Sequence, residues 1–355
     1  MNKFERLFLA IPSEVDAVLI TSDVNRRYFT NMKSSAGTVL AFRDKAYLII
    51  DSRYFEKASK TVVGAEVLLQ AKLFEQINSL LVKHGAKTVA IESQCVTVAE
   101  LNMYKKFITE AEVVSDSSLS DAISGLRIIK TRDEIEKMIK AQRIAEEAFE
   151  DVLNFIKPGV TEREIGLRLD FYMLSHGADA VSFDTIALTG ANTSMPHGVP
   201  GDTVVGNNTF VLMDYGATFE GYHSDMTRTV CVGKPTEKME FVYNTVLKAQ
   251  VDAINAVKAG VSGAELDKIA RDVITNAGYG QEFGHSLGHG VGLEIHEAPN
   301  AAPSSKHIFK ENMIVTVEPG IYIPDEFGVR IEDFVVVTEN GFENMTLANK
   351  SLICL

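Results

Sequence analysis

Between residues 131 and 337 the chain carries one pattern twice. Thr131 and Glu134 form a capping box, in which the N-cap hydroxyl and the glutamate each satisfy a backbone N–H at the helix start. The helix so begun stops at KPGV (157–160), and a second box, Thr161 with Glu164, starts another at once. The second copy has a helix over 237–258, a stop at KAGV (258–261) and a box at Ser262 and Glu265. Each helix pair leads to a histidine segment, His197 in MPHGVP and His296 in EIHEAP, and then to two β-like runs rich in acids. The order reads as an internal duplication; chance recurrence of a common α–loop–β order is the alternative. Such a unit is too long for a solenoid repeat, and two copies more naturally face each other around one site.

Ahead of the duplication, short β-like runs alternate with helical patterns. AVLIT (17–21), GTVLAF (37–42), KAYLIID (45–51) and KTVAIE (87–92) read as strands, and KLFEQINSLLVKHG (72–85) as a helix with a glycine stop. This predicts a small three-layer α/β domain. The polar stretch VSDSSLSDAIS (114–124) is the expected boundary, giving domains 1–122 and 123–355. Two domains also suit a chain of 355 residues.

The formal net charge of −13 disfavours a nucleic-acid partner, since phosphate neutralisation needs a clustered basic face. Cys95, Cys231 and Cys354 are odd in number and far apart, which argues against a disulfide framework and fits a reducing compartment. The start, MNKFERLFLAIPSEVD, is not a signal peptide, and no apolar run reaches membrane-spanning length. A cytoplasmic protein without a membrane partner is expected.

In GHSLGHGVGLEIHE (284–297) His285 and His289 have the i, i+4 spacing of a zinc-binding helix. Glycines at 284, 288, 290 and 292 exclude that helix, each costing roughly 1 kcal/mol against alanine. The segment should be extended, its histidines finding partners elsewhere. Those partners are acids in two hairpins. In TFVLMDYGATFEGYHSDMTRTVCV (209–232), a turn near 219–221 would set Asp214 opposite Asp225. In MIVTVEPGIYIPDEFGVRIEDFVVV (313–337), a turn in PDEFG would set Glu318 near Glu332. Like charges opposed in an apolar sheet are destabilising unless cations neutralise them; exposed or salt-bridged acids are the alternative. Four carboxylates match two divalent ions in charge, and one imidazole would complete a mixed O/N set suited to manganese, cobalt, iron or zinc. Two such ions close together make a hydrolytic centre.

HSLGHGVGLEIHE (285–297), DYG with GYHSDMTRT (214–229), VEPGIY (317–322) and VRIED (329–333) together resemble the pita-bread metallopeptidases. The branch is that of Xaa-Pro aminopeptidases and Xaa-Pro dipeptidases (prolidases). NRRYFTNM (25–32) and IDSRYF (50–55) are similar to that branch's amino-terminal domain, which methionine aminopeptidases of this fold lack. The resemblance implies an α/β amino-terminal domain followed by a duplicated pita-bread α+β catalytic domain. It implies Asp214, Asp225, His289, Glu318 and Glu332 as ligands of two divalent ions per subunit, manganese first among them, with Asp225 and Glu332 bridging.

It further implies that a metal-bridging hydroxide attacks the Xaa–Pro carbonyl and that Glu318 carries a proton to the leaving nitrogen. His197, His285 and His296 would line the pocket, with His296 and His197 holding substrate oxygens. A homodimer is also implied. Arg330, two residues before Glu332 on the same strand face, would anchor substrate or orient carboxylates, an ordinary ion pair being the alternative. Tyr322 is a pocket or a core tyrosine. Asn300 stands where many dipeptidases of the branch carry an arginine. That favours an aminopeptidase acting on peptides with proline second, with a dipeptide-restricted prolidase as the alternative. A creatinase-like hydrolase or a non-catalytic binding relative would not keep all five ligands.

Overall fold

A run that is apolar on both faces can be a strand only where both faces are covered. The first part of the chain is built this way. Strands β1 (Ala17–Ile20), β2 (Thr38–Phe42) and β3 (Ala46–Ile50) are buried at every residue, and β5 (Thr88–Ile91) at all but its first. The expected runs form these four, and two edge strands, β4 (Glu66–Leu69) and β6 (Glu112–Val114), complete a mixed sheet ordered β4-β3-β2-β1-β5-β6. Both edges are partly exposed, so neither carries the continuous apolar signal that marks a buried strand. Helix Leu73–His84 packs Ile77, Leu80 and Leu81 on the sheet and ends at Gly85 in the left-handed region (φ 66°).

The structure, a computed structural model describing residues 1–355, divides at Arg127/Ile128 rather than at 122/123. The polar stretch read as a boundary instead opens helix Ser118–Arg127. Its serines and aspartates alternate with Leu119, Ala122, Ile123 and Leu126, which are buried in the first unit.

The second unit, Ile128–Leu355, contains the duplicated pattern. Helices Arg132–Leu153, Glu162–Ser175 and Gly263–Asn276 start at the three predicted capping boxes, and helix Glu237–Asn255 starts at Thr236. After each long helix the chain turns through a positive-φ glycine, Gly159 (φ 98°) and Gly260 (φ 91°). The same contacts recur beyond it. Gly159 donates to Val205 and Gly260 to Phe309, and isolated bridges join Thr161 to Val204 and Ser262 to Ile308. Equivalent backbone bonds at equivalent places support a true duplication over chance recurrence. Each helix pair roofs its own apolar cluster, one around Ile144, Phe149 and Leu169, the other around Val246, Leu266 and Ile274.

Strands of the first copy are β7 (Ala180–Val181), β8 (Ile186–Thr189), β9 (Thr209–Tyr215), β10 (Ala217–Phe219), β11 (Tyr222–His223) and β12 (Met226–Val232). Those of the second are β13 (Gly288–Gly290), β14 (Glu297–Ala301), β15 (Ile314–Val317), β16 (Gly320–Ile323), β17 (Phe327–Arg330), β18 (Asp333–Val337) and β19 (Phe342–Asn344).

In the hairpin of β9 to β12 the structure corrects the expected register. Its two-residue turn is Glu220–Gly221, both at positive φ (47° and 83°), as the twist of a tight hairpin requires. This pairs Phe219 with Tyr222 and Asp214 with Thr227, so Asp225 lies two residues along from the position opposite Asp214. Because side chains alternate, a two-residue offset leaves Asp225 on the same face as Asp214, as its diagonal neighbour. The other hairpin keeps one register throughout: Val317 faces Asp333 and Gly320 faces Arg330, and Glu318 and Glu332 are the next pair after Val317 and Asp333. No helix is long and apolar enough to cross a membrane.

The two hairpins are joined at Arg228, whose guanidinium reaches Asp333 Oδ1 at 2.7 Å with neither side chain more than 1% exposed. It also donates to the carbonyls of Glu332, Ala348 and Asn349. Removing Arg228 takes one of two cations from the buried Asp333, Lys350 holding its other oxygen, and leaves the carbonyls of Glu332, Ala348 and Asn349 without that donor. Arg228→Met should therefore lower the unfolding free energy by about 2–4 kcal/mol in urea denaturation.

Candidate metal centre

The acids stand where the strand ladders break. Asp214 is next to last in β9, Asp225 immediately precedes β12, Glu318 follows β15, and Glu332 precedes β18. Glu332 N donates to Thr227 O at 3.1 Å, bringing the two hairpins side by side. The glycine-rich segment runs in extended form beside them as β13. Gly288 is needed there, since a Cβ on it would lie 2.0 Å from Thr316 O.

These elements bring Asp225, His289 and Glu332 together with ligand atoms within 4.8 Å of one another. His289 Nε2 lies 3.5 Å from Asp225 Oδ2 and 3.4 Å from Glu318 Oε1. His289 Nδ1 is 3.1 Å from the carbonyl of Gly290, which can only accept, so Nδ1 carries the proton and Nε2 turns a lone pair toward the acids. Asp214 shares the cluster through charge. Its Oδ2 is bound by Arg330 Nη2 at 2.5 Å, while Oδ1 is buried without a partner. A lone pair and carboxylate oxygens turned toward one another, beside an orphaned buried carboxylate oxygen, fit a cation.

Electrostatics agree. Burial, reinforced by the charges of Asp214 and Glu318, holds the Asp225 carboxyl well above the usual carboxylate range. Burial and the charge of Asp225 do the same to Glu332. Burial pushes Glu318 up to about 8 against the opposing pull of Arg330. His289 is pushed down to about 4 by burial and is therefore neutral at pH 7, as a ligand must be.

The centre opens on a cavity of about 670 Å³ whose wall includes Asp214, Asp225, His289, Glu318, Arg330 and Glu332. His197, His285 and His296 line it too. His296 stands edge-on to His289, ring centroids 4.3 Å apart.

The model of metallopeptidase family M24 matches residues 136–339, and the creatinase/prolidase amino-terminal domain matches 12–129. The chain belongs to metallopeptidase family M24. A Xaa-Pro dipeptidase of Pyrococcus furiosus is 38% identical over 96% of each chain. Among solved structures, a Xaa-Pro dipeptidase from Bacillus anthracis superposes with TM-score 0.95 at 43% identity over 99% of each chain. The X-Pro aminopeptidase from Thermotoga maritima does so with TM-score 0.91 at 35% identity, covering 96% of this chain and 98% of that one. The fold is thus the pita-bread architecture with its amino-terminal domain, and the protein is a metallo-exopeptidase.

For two residues the sequence left alternatives open, and the geometry distinguishes them. Arg330 is 3% exposed and its donors are committed to Asp214, Tyr322, Thr227 and Pro196 O, which leaves it little to offer a substrate. Tyr322 is buried behind it and is not part of the cavity wall. Its hydroxyl accepts from Arg330 Nη1 at 2.7 Å and lies 3.0 Å from His285 Nε2. His285 Nδ1 is 2.8 Å from Ser286 O, so the proton sits on Nδ1 and Nε2 accepts from Tyr322. Burial lowers His285 to about 4, keeping it neutral.

Thr227 and Thr316 escaped the sequence reading. Thr227 Oγ1 donates to Glu332 Oε2 at 2.8 Å and accepts from Arg330 Nε, while Thr316 Oγ1 receives His289 N and contacts Glu318 Oε1. Period-two alternation from Asp225 and Glu318 points to both. His223, by contrast, faces Thr218, away from the cavity.

The upward carboxyl shifts make metal-free stability pH-dependent. Protonated carboxyls are favoured in the fold, a contribution fully present below about pH 4 and lost as pH rises through the raised values, about 8 for Glu318. The melting midpoint of chelator-treated protein should therefore fall between about pH 6 and pH 8, and saturating manganese should remove the fall, as read by differential scanning fluorimetry.

Proposed function

We propose that this metallo-exopeptidase removes an amino-terminal residue that precedes proline, acting as a Xaa-Pro aminopeptidase with two divalent ions, manganese first. The observation that carries the metal centre is the set Asp225, His289 and Glu332, with Glu318 and the unpartnered Asp214 Oδ1 beside it. Asp214, Asp225, His289, Glu318 and Glu332 would hold the ions. When bound, the pair supplies a nucleophile from water and polarises the scissile carbonyl.

The chain's own groups do the rest. Glu318 lies at the cavity wall with Thr316 on one oxygen, placed to move a proton to the leaving proline nitrogen. His197 and His296 are the imidazoles to hold substrate oxygens as charge develops. His285 is better read as a positioning residue, since both its nitrogens are engaged within the protein. The line His285–Tyr322–Arg330–Asp214 then fixes the carboxylate that the metal must meet.

Preference for substrate length rests on Asn300. It faces His289 across the β13–β14 ladder and lines the cavity. Its Oδ1 accepts from His307 Nδ1 at 2.7 Å and Ser305 Oγ at 2.8 Å. That leaves the amide nitrogen, a neutral donor that serves a continuing peptide carbonyl as well as a free carboxylate. Favouring the dipeptidase reading instead are the names of relatives at 38% and 43% identity.

Purified manganese-loaded protein should release alanine from Ala-Pro-Ala, and chelation or Asp225→Asn should reduce the rate by at least about a thousandfold. Cleavage of Ala-Pro alone would make it a dipeptidase. Failure on both with metal bound would defeat the proline reading. Asn300→Arg supplies a cation for a free carboxylate, so the kcat/KM ratio of Ala-Pro to Ala-Pro-Ala should rise about tenfold.

A further inference from the structure

We propose that Cys231 and Cys354 form an oxidisable pair, converted by a hydroperoxide into a disulfide that fastens residues 353–355 to β12. The two lie far apart in sequence, yet the fold sets them directly opposite one another in a parallel bridge. Cys231 N donates to Ile353 O at 2.9 Å, Leu355 N to Cys231 O at 2.8 Å, and Gly233 N to Leu355 O at 2.9 Å. Directly opposed residues of neighbouring strands send their side chains to the same face, with backbones about 4.8 Å apart. A disulfide spans Cα separations of about 4.4–6.8 Å, so neither backbone need move. The Cys354 thiol already acts as a hydrogen-bond partner of the Cys231 thiol, whose sulfur also approaches Gly233 O at 3.6 Å.

Access sets the order of reaction. Cys354 is exposed and Cys231 fully buried. Burial also raises the Cys231 thiol to about 11, which keeps it protonated and unreactive toward solvent oxidants. The Cys354 thiolate therefore attacks a peroxide oxygen first. The O–O bond breaks, hydroxide (or alkoxide) leaves, and Cys354 becomes a sulfenic acid. Cys231 Sγ then attacks the Cys354 sulfur: the S–S bond forms, the S–O bond breaks, and the oxygen departs as water with the Cys231 proton. Two thiols lose two electrons and two protons, and the hydroperoxide takes up both.

The fastened segment continues one that supports the metal centre. Ala348 O and Asn349 O accept from Arg228, which also donates to Glu332 O, and Lys350 O accepts from Tyr243. Residues 353–355 also cover the outer edge of β12, the far edge of the sheet ordered β12-β9-β8. A covalent tie there closes a long loop and stabilises the second unit without touching a ligand.

The test treats the full-length, manganese-loaded protein with hydrogen peroxide. Expected are a loss of about 2 Da in intact mass, a Cys231–Cys354 peptide in a non-reducing digest, and reversal by dithiothreitol. The melting midpoint should rise on the order of 5 °C. Cys95→Ser should keep all of this, and Cys354→Ser should lose it. A Cys354 sulfinate without the 2 Da loss, a link through Cys95, or a bond that leaves the midpoint unchanged would each overturn the proposal.

Discussion

The second unit is organised around a repulsion. Asp225 and Glu332 are buried near one another with the half-buried Glu318 and Asp214 beside them, and desolvation together with mutual charge raises the proton affinity of Asp225, Glu332 and Glu318. In an apolar sheet such a cluster must take up protons or a cation. Arg330 supplies a single fixed positive charge and spends it on Asp214. The remaining charge is what suits the site to divalent metal, and the neutral His289 adds a nitrogen donor.

Holding like charges together needs a stiff frame, and the duplication provides one. Each copy contributes a hairpin, and each hairpin is backed by its own helix pair and apolar cluster. The hairpins are laced by Glu332 N to Thr227 O, by Thr229 with Arg330, and by the buried Arg228–Asp333 pair. Arg228 and Arg330 share β-face logic but not function. Arg228 points into the protein to join the hairpins, whereas Arg330 points to Asp214 at the acid cluster. The line from Arg330 through Tyr322 to His285 extends this support to the glycine-rich segment.

Helix starts were legible because a capping box is local: Thr131 with Glu134, Thr161 with Glu164 and Ser262 with Glu265 form as written. Glycines at 288 and 290 ruled out a helix for the histidine segment, and contact with Thr316 O and Ala298 O shows why no larger residue fits. Edge strands β4 and β6 were not legible, since a short, half-exposed strand lacks the apolar run that marks a buried one. Helix Ser118–Arg127 was hidden for the opposite reason: its polar face dominated the composition while its buried stripe was interleaved.

By itself the sequence determined the duplicated order of elements, the residue types of the centre and the face on which they fall, because capping, alternation and charge are local properties. Register and pairing across the chain were decided only in three dimensions. One residue's difference in the placement of the Glu220–Gly221 turn moved Asp214 from Asp225 to Thr227, a choice made by backbone twist. Whether Arg330 meets a substrate or the Asp214 carboxylate, and whether Cys231 has a thiol beside it, depends on segments more than a hundred residues distant in the chain. No local pattern encodes such contacts; they arise when two packed halves bring their strand edges together.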